Sequence, residues 1–268
     1  MISRLVRGVR QLHRLPEVTR CAGSIRGWAG ITSAYLGLTK LPYPARFEMR
    51  DGFVLPLESF HDLVTAWILF CRHEYEVPRD AKVVVDFGAN YGAFAVLAAR
   101  AAPHAKIVCF EPFPETFGRL QETIRLNGLE GRVTCLPVAV ARQAGSALMN
   151  ADPSIPSQSR GLGAASTAQA TLEVRTLDLA GALEEVRRVT GTRRIDLVKM
   201  DIEGAEHAFL PEAMPDTLAD IDAWQMEYHP NGPKQALFQA LERSSLRLRH
   251  DQLDGENGGV AHFARARF

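Results

Sequence analysis

The chain has 268 residues, 46% of them hydrophobic, which suits one α/β domain with a modest extension and excludes a disordered chain. Lysine plus arginine and aspartate plus glutamate both total 31, so overall charge gives no argument for a nucleic-acid partner. No apolar run approaches the roughly 20 residues that a membrane span needs. The basic N-terminus lacks the apolar core and cleavage site of a secretory signal. The four cysteines, Cys21, Cys71, Cys109 and Cys135, form no Cys-x-x-Cys pair; reduced thiols and a cytoplasmic location are the expectation.

In chain order, residues 1–50 read as a basic helical extension. Ile2, Leu5, Val6, Val9 and Leu12 fall at helical spacing with arginines between them. Such a helix packs on the main domain with its arginines solvated, or lies on a membrane surface or a protein partner. Residues 51–268 read as the catalytic domain. A helix is expected over 57–73, stopped before Pro78. Val83–Phe87 is a continuous β-branched run, fit for a strand buried on both faces. A helix over about 91–102, a strand at 106–110 and a helix opening at Pro114 and capped near Asn127-Gly128 follow. Further strands are expected at 133–137, 195–200 and 223–228, with helical stretches near 179–190, 206–213 and 233–244. Two short strand candidates, near 145–149 and 171–176, flank a Ser, Ala, Gly and Pro-rich loop at 150–170 that reads as a lid or an insertion. Residues 246–253 and 260–267 read as a closing antiparallel hairpin. Strand–helix alternation implies a mostly parallel sheet with helices on both faces.

Four segments carry chemistry, each at the end of an expected strand, where open α/β sheets bind ligands. The first is Asp86-Phe87-Gly88-Ala89-Asn90-Tyr91-Gly92, whose glycines allow a sharp turn and a close backbone approach. Asp86 can hold water or accept from an ammonium group. The loop lacks the second glycine of a dinucleotide-binding fingerprint, and no pyrophosphate cradle is formed. The second segment is Cys109-Phe110-Glu111-Pro112, with Glu111 placed to accept from both ribose hydroxyls of an adenosine. The third, Lys199 to Glu206, puts Asp201 and Glu203 at the carboxyl edge of the sheet, and the fourth is Glu227-Tyr228-His229-Pro230.

Together these segments resemble the FkbM family of S-adenosylmethionine-dependent methyltransferases over about residues 55–230. The matching blocks are Val85–Gly92, Glu111-Pro112, Thr176-Leu177-Asp178, Lys199–Glu206, and Glu227 with His229. Phe87 and Tyr91 depart from the Ile or Val common in the family. The resemblance implies a class I methyltransferase Rossmann-like α/β fold: a mostly parallel seven-stranded sheet with a C-terminal antiparallel hairpin, plus the helical N-terminal extension. It implies S-adenosyl-L-methionine as cofactor, held by Asp86, Gly88, Asn90, Gly92, Glu111, Pro112 and Ala139. The implied acceptor is a hydroxyl on a sugar, glycan or secondary metabolite.

A hydroxyl needs its proton removed as it attacks, so a base is expected: His229 or Asp201, with Glu203 orienting the acceptor. Asp201, Glu203 and His229 are also chemically adequate metal ligands. Acidic clusters are common at such an edge, however, and no metal is expected. The competing readings are a nicotinamide-dependent oxidoreductase, which wants Gly-x-Gly-x-x-Gly, and a non-catalytic partner-binding module of the same fold.

Overall fold

The computed structural model describes residues 14–151, 171–254 and 258–266. The expected helix at 2–12, and the loop at 150–170 apart from its first two residues, lie outside them. The chain divides into two compact units, Met1–Glu76 and Val77–Phe268. The first therefore reaches beyond the expected boundary at residue 50.

In the first unit, helices α1 (Leu15–Ser24) and α2 (Trp28–Tyr35) precede a two-stranded antiparallel ribbon, β1 (Ala45–Glu48) and β2 (Val54–Leu57). Helix α3 (Phe60–Trp67) starts on a reciprocal cap. The Ser59 hydroxyl accepts from the Asp62 backbone N–H, and the Asp62 carboxylate accepts from the Ser59 N–H. The helix then widens into a π-turn over Ile68–Arg72, inside the helix expected at 57–73. Tyr35 stacks on Trp67 with ring centroids 4.2 Å apart.

The second unit is built on a seven-stranded sheet. Its strands are β3 (Val83–Phe87), β4 (Lys106–Phe110), β5 (Val133–Leu136), β9 (Ile195–Met200), β10 (Ile221–Tyr228), β11 (Arg247–Asp254) and β12 (Gly258–Ala264). The spatial order is β5-β4-β3-β9-β10-β12-β11. Strands β3, β4, β5, β9 and β10 pair in parallel, while β12 runs antiparallel to both β10 and β11. This is the class I methyltransferase arrangement, with the second strand of the hairpin slotted between β10 and the first. All five residues of β3 and all six of β9 are buried, as strands covered on both faces require.

Helices α4 (Ala93–Ala101), α5 (Pro114–Leu126), α6 (Leu179–Thr190) and α7 (Lys234–Arg243) supply the cover. Helix α6 is capped by Asp178, whose carboxylate accepts from Gly181 N–H at 2.7 Å. The core joins Val85, Phe87 and Val108 of the sheet to Leu183 and Val186 of α6 and Leu237 and Leu241 of α7.

A separate three-stranded sheet holds β6 (Ala139–Val140), β7 (Gly145–Asn150) and β8 (Thr171–Leu177) in the order β6-β8-β7. The helix expected at 206–213 is instead two 3₁₀ turns, Ala205–Ala208 and Leu210–Glu212. Pro211, inside the second turn, has no N–H to bond back to residue 207, so an α ladder cannot run through the segment, and the two turns part at Phe209. Among the described residues, no helix is long and apolar enough to cross a membrane.

The strand order reverses at the β3–β9 pair: β4 lies on one side of β3, and β9 on the other. Beyond the carboxyl ends of these two strands lies the crevice that such a reversal opens.

Candidate active site

The loop after β3 is fixed by the backbone on both sides. Gly88 and Ala89 N–H both donate to the Phe110 carbonyl at 3.0 Å, and Asp201 N–H donates to the Phe87 carbonyl at 3.0 Å. Gly88 has φ +77°, and a Cβ there would lie 1.8 Å from the Asp201 carbonyl oxygen. The close approach that makes glycine necessary is thus to the β9 edge, which ties the two halves of the crevice together. Asn90 follows with φ +48°, and Gly92, also left-handed, opens α4.

Asp86 is fully buried, and its ammonium partner is Lys199. The strands set Asp86 opposite Lys199 in register, and Lys199 Nζ lies 3.2 Å from Asp86 Oδ1. The same Nζ donates to the Gly88 carbonyl at 3.0 Å and lies 3.6 Å from Asp201 Oδ2. Burial raises the Asp86 pKa and Lys199 pulls it back. Burial would lower that of Lys199, but Asp86 and Asp201 outweigh it and raise it.

Glu111, at the end of β4, is 7% exposed. One oxygen accepts from Asn90 N–H at 3.0 Å and the other from Phe113 N–H at 2.9 Å. Burial pushes its carboxyl up to about 7 despite these two donors. Pro112 sits between Glu111 and Phe113. Ala139 lies in β6, where its side chain packs with Met149 and Val174 in the small sheet's own core. Its place in the cofactor set therefore rests on sequence alone.

The structure brings Asp201, Glu203 and His229 together: one donor atom from each lies within 4.8 Å of the other two. His229 is held on every side. Its backbone N–H donates to Glu206 Oε1 at 3.0 Å, ring Nδ1 is 3.1 Å from the same oxygen, and its carbonyl accepts from His207 Nε2 at 2.9 Å. Ring Nε2 faces Glu203 Oε2 at 3.4 Å. Burial would lower the His229 pKa, but these two glutamates raise it to about 11. An imidazolium has no lone pair to take a proton, so His229 as it stands is a counter-charge rather than a base.

Two acids that carried no role in the sequence reading matter here. Glu206 is fully buried, and the sequence shows it only as the last residue of the Lys199–Glu206 block. The register of Met226 with Met200 carries Glu227 to the level of Asp201. Burial and then the Asp201 charge push the Glu227 carboxyl up to about 8. Lys199, quoted in the same block, is the link between the loop after β3 and the acidic edge.

The family profile described as Methyltransferase FkbM domain matches residues 86–251, from Asp86 into β11. The chain belongs to the FkbM methyltransferase family. A nicotinamide oxidoreductase is thereby set aside. Among related proteins, "Methyltransferase sdnD" of Sordaria araneosa is 25% identical over 219 residues, covering 69% of this chain and 82% of that protein. "Methyltransferase 1" of Beauveria bassiana (strain ARSEF 2860) is 28% identical over 181 residues, covering 60% and 72%. Among solved structures, precorrin-6y C5,15-methyltransferase from Geobacter metallireducens GS-15 aligns with a TM-score of 0.41 at 12% identity, covering 72% of this chain and 85% of that one.

Proposed function

We infer that this chain transfers the methyl group of S-adenosylmethionine to a hydroxyl oxygen of a sugar, glycan or secondary metabolite. The observation that carries the reading is the meeting, beyond β3 and β9, of a buried acid-and-loop site with a carboxylate edge. Glu111 fits an adenosine: each oxygen already accepts one backbone N–H and keeps a lone pair for a ribose hydroxyl. The Gly88–Gly92 loop fits a ligand without phosphate, because it lacks a pyrophosphate cradle.

The cofactor's sulfonium supplies both the methyl group and the leaving group. The chain's residues must then align an acceptor, exclude water and take a proton. Asp201, at the end of β9, is the proton acceptor in this reading; Glu227 beside it, its carboxyl pushed up to about 8, holds its own proton at neutral pH. Glu203 orients the acceptor hydroxyl. His229 and Lys199 hold these acids at fixed positions and offset their charge. Oxygen as the accepting atom is what the family resemblance implies.

The test is a deuteromethyl-labelled S-adenosylmethionine incubation with a panel of polyhydroxylated acceptors, amines and thiols, read by mass spectrometry. Label on oxygen, abolished in Asp201→Ala while cofactor binding persists, is the expected result. Label on nitrogen or sulfur alone, or an Asp201→Ala variant as active as the parent, contradicts it.

A further inference from the structure

Strand β11 ends the seven-stranded sheet, and among the described residues its pairing strand is β12, on one side alone. The other side presents the main-chain donors and acceptors of an eight-residue strand, a template for a further strand. Two leucines stand on this edge in solvent: Leu248 is 40% exposed and Leu253 59%. Lysines are a common device for keeping an edge single, and this strand has none. Its charges are divided by sign instead. The sequence has Arg247 and Arg249 in the first half and Asp251 and Asp254 in the second. A second copy of the strand, laid antiparallel, therefore sets each half against the half of opposite charge.

In a regular strand Leu248 and Leu253 would fall on opposite faces, because their separation is odd and side chains alternate. A bulge removes the mismatch. Leu248 pairs with Phe263 and His250 with His262, so Arg249 is an extra residue without a rung of its own. Asp251 pairs with Ala261, and Leu253 with Gly259. Counted along β12, the two leucines each lie two rungs from Asp251, on either side of it, and on the same face. His250 and Gln252 each lie one rung away, and Arg247 and Asp254 each three. The bulge thus makes the strand symmetric about Asp251, with leucine matching leucine and a basic position matching an acidic one.

We propose that β11 pairs antiparallel with β11 of a second copy of this chain, about a two-fold axis at Asp251, joining two seven-stranded sheets into one. Leu248 of each copy then meets Leu253 of the other, Arg247 meets Asp254, and His250 meets Gln252. Asp251 meets its own counterpart, and its charge is already answered within each copy. Its Oδ1 accepts from the Tyr228 hydroxyl at 2.7 Å, and its Oδ2 from Lys234 Nζ at 2.9 Å. The bulged Arg249 stays off the new ladder, its guanidinium donating to the Arg265 carbonyl at 3.1 Å. Strands β12 and β10 separate this edge from the β9–β3 crevice, so the pairing stands apart from the methyl-transfer reading.

The test is sedimentation velocity of the full chain over about 1–100 μM, where a reversible dimer gains share with concentration. Leu248→Lys and Leu253→Lys each raise its dissociation constant about ten-fold or more. Arg247→Asp and Asp254→Arg each weaken the dimer, and the two together restore it, because the swapped charges meet across the axis. Circular dichroism checks the fold of every variant; should a leucine variant lose it, the charge-swap set carries the test. A chain that stays monomeric at the highest concentration overturns the proposal. So does a dimer indifferent to both leucine variants, which places its contact on another surface. A double charge swap no tighter than the single ones overturns the two-fold register on which the pairing stands.

Discussion

Replacing Lys199 with Met keeps the side-chain volume and removes the charge that compensates Asp86. The Asp86 side chain is 0% exposed and that of Lys199 7%. Among the described residues neither Asp86 oxygen receives a well-aligned hydrogen bond, so the ammonium 3.2 Å away is its compensation. Breaking one side of a buried ion pair costs about 3–5 kcal/mol. The lost donor to the Gly88 carbonyl falls within that range rather than adding to it. Against a total stability of about 5–15 kcal/mol, Lys199→Met should shift the urea midpoint strongly at unchanged slope.

The pH dependence has a defined sign. Burial raises the Asp86 pKa in the folded state, and removing Lys199 raises it further. Above the ordinary carboxylate value the folded chain then holds a proton that the unfolded chain has lost, so the variant's stability falls as pH rises. Its deficit should be larger at pH 8 than at pH 5, and Asp86→Asn added to Lys199→Met should recover part of it. A deficit below about 1 kcal/mol at pH 8, or no recovery in the double variant, refutes the reasoning.

Gly88→Ala combines a left-handed φ of +77° with a Cβ 1.8 Å from the Asp201 carbonyl. It should destabilise by about 2–5 kcal/mol in chemical denaturation and separate the two halves of the crevice; a loss under 1 kcal/mol contradicts that. Because burial holds the Glu111 carboxyl near 7, S-adenosylhomocysteine should bind more tightly as pH rises through neutrality. Below that, affinity should fall about ten-fold per unit, and a flat profile from pH 5.5 to 8.5 removes Glu111 as the ionised ribose acceptor. Ser59→Ala removes the α3 cap and should cost about 0.5–2 kcal/mol, read by thermal or urea unfolding.

The sheet was legible because its strands are buried on both faces. Val83–Phe87 and Ile195–Met200 are apolar enough to read directly. The ribbon β1–β2 was not, because its strands are four residues long and contain Arg46, Glu48 and Pro56. Two-residue β6 offers no period to find. Within the site, motif spacing put Asp86, Glu111 and Asp201 at strand ends, and alternation put Asp201 and Glu203 at the carboxyl edge of the sheet. Their charge states were not legible. That His229 is clamped by Glu206 depends on a fold-back of residues 204–207 against the end of β10, which no local pattern encodes. The pairing of Lys199 with Asp86 depends on strand register, and register is set by the whole sheet.

The most direct test of the account is calorimetric titration of the purified chain with S-adenosylmethionine and S-adenosylhomocysteine, with NAD and NADP as controls, repeated on Glu111→Ala. Binding of the adenosyl ligands alone, weakened by at least ten-fold in Glu111→Ala while the fold is retained, is the predicted result. Absence of binding to either adenosyl ligand, or affinity unchanged in Glu111→Ala, would contradict the central claim that the β3–β4 edge of this fold is an adenosyl-cofactor site.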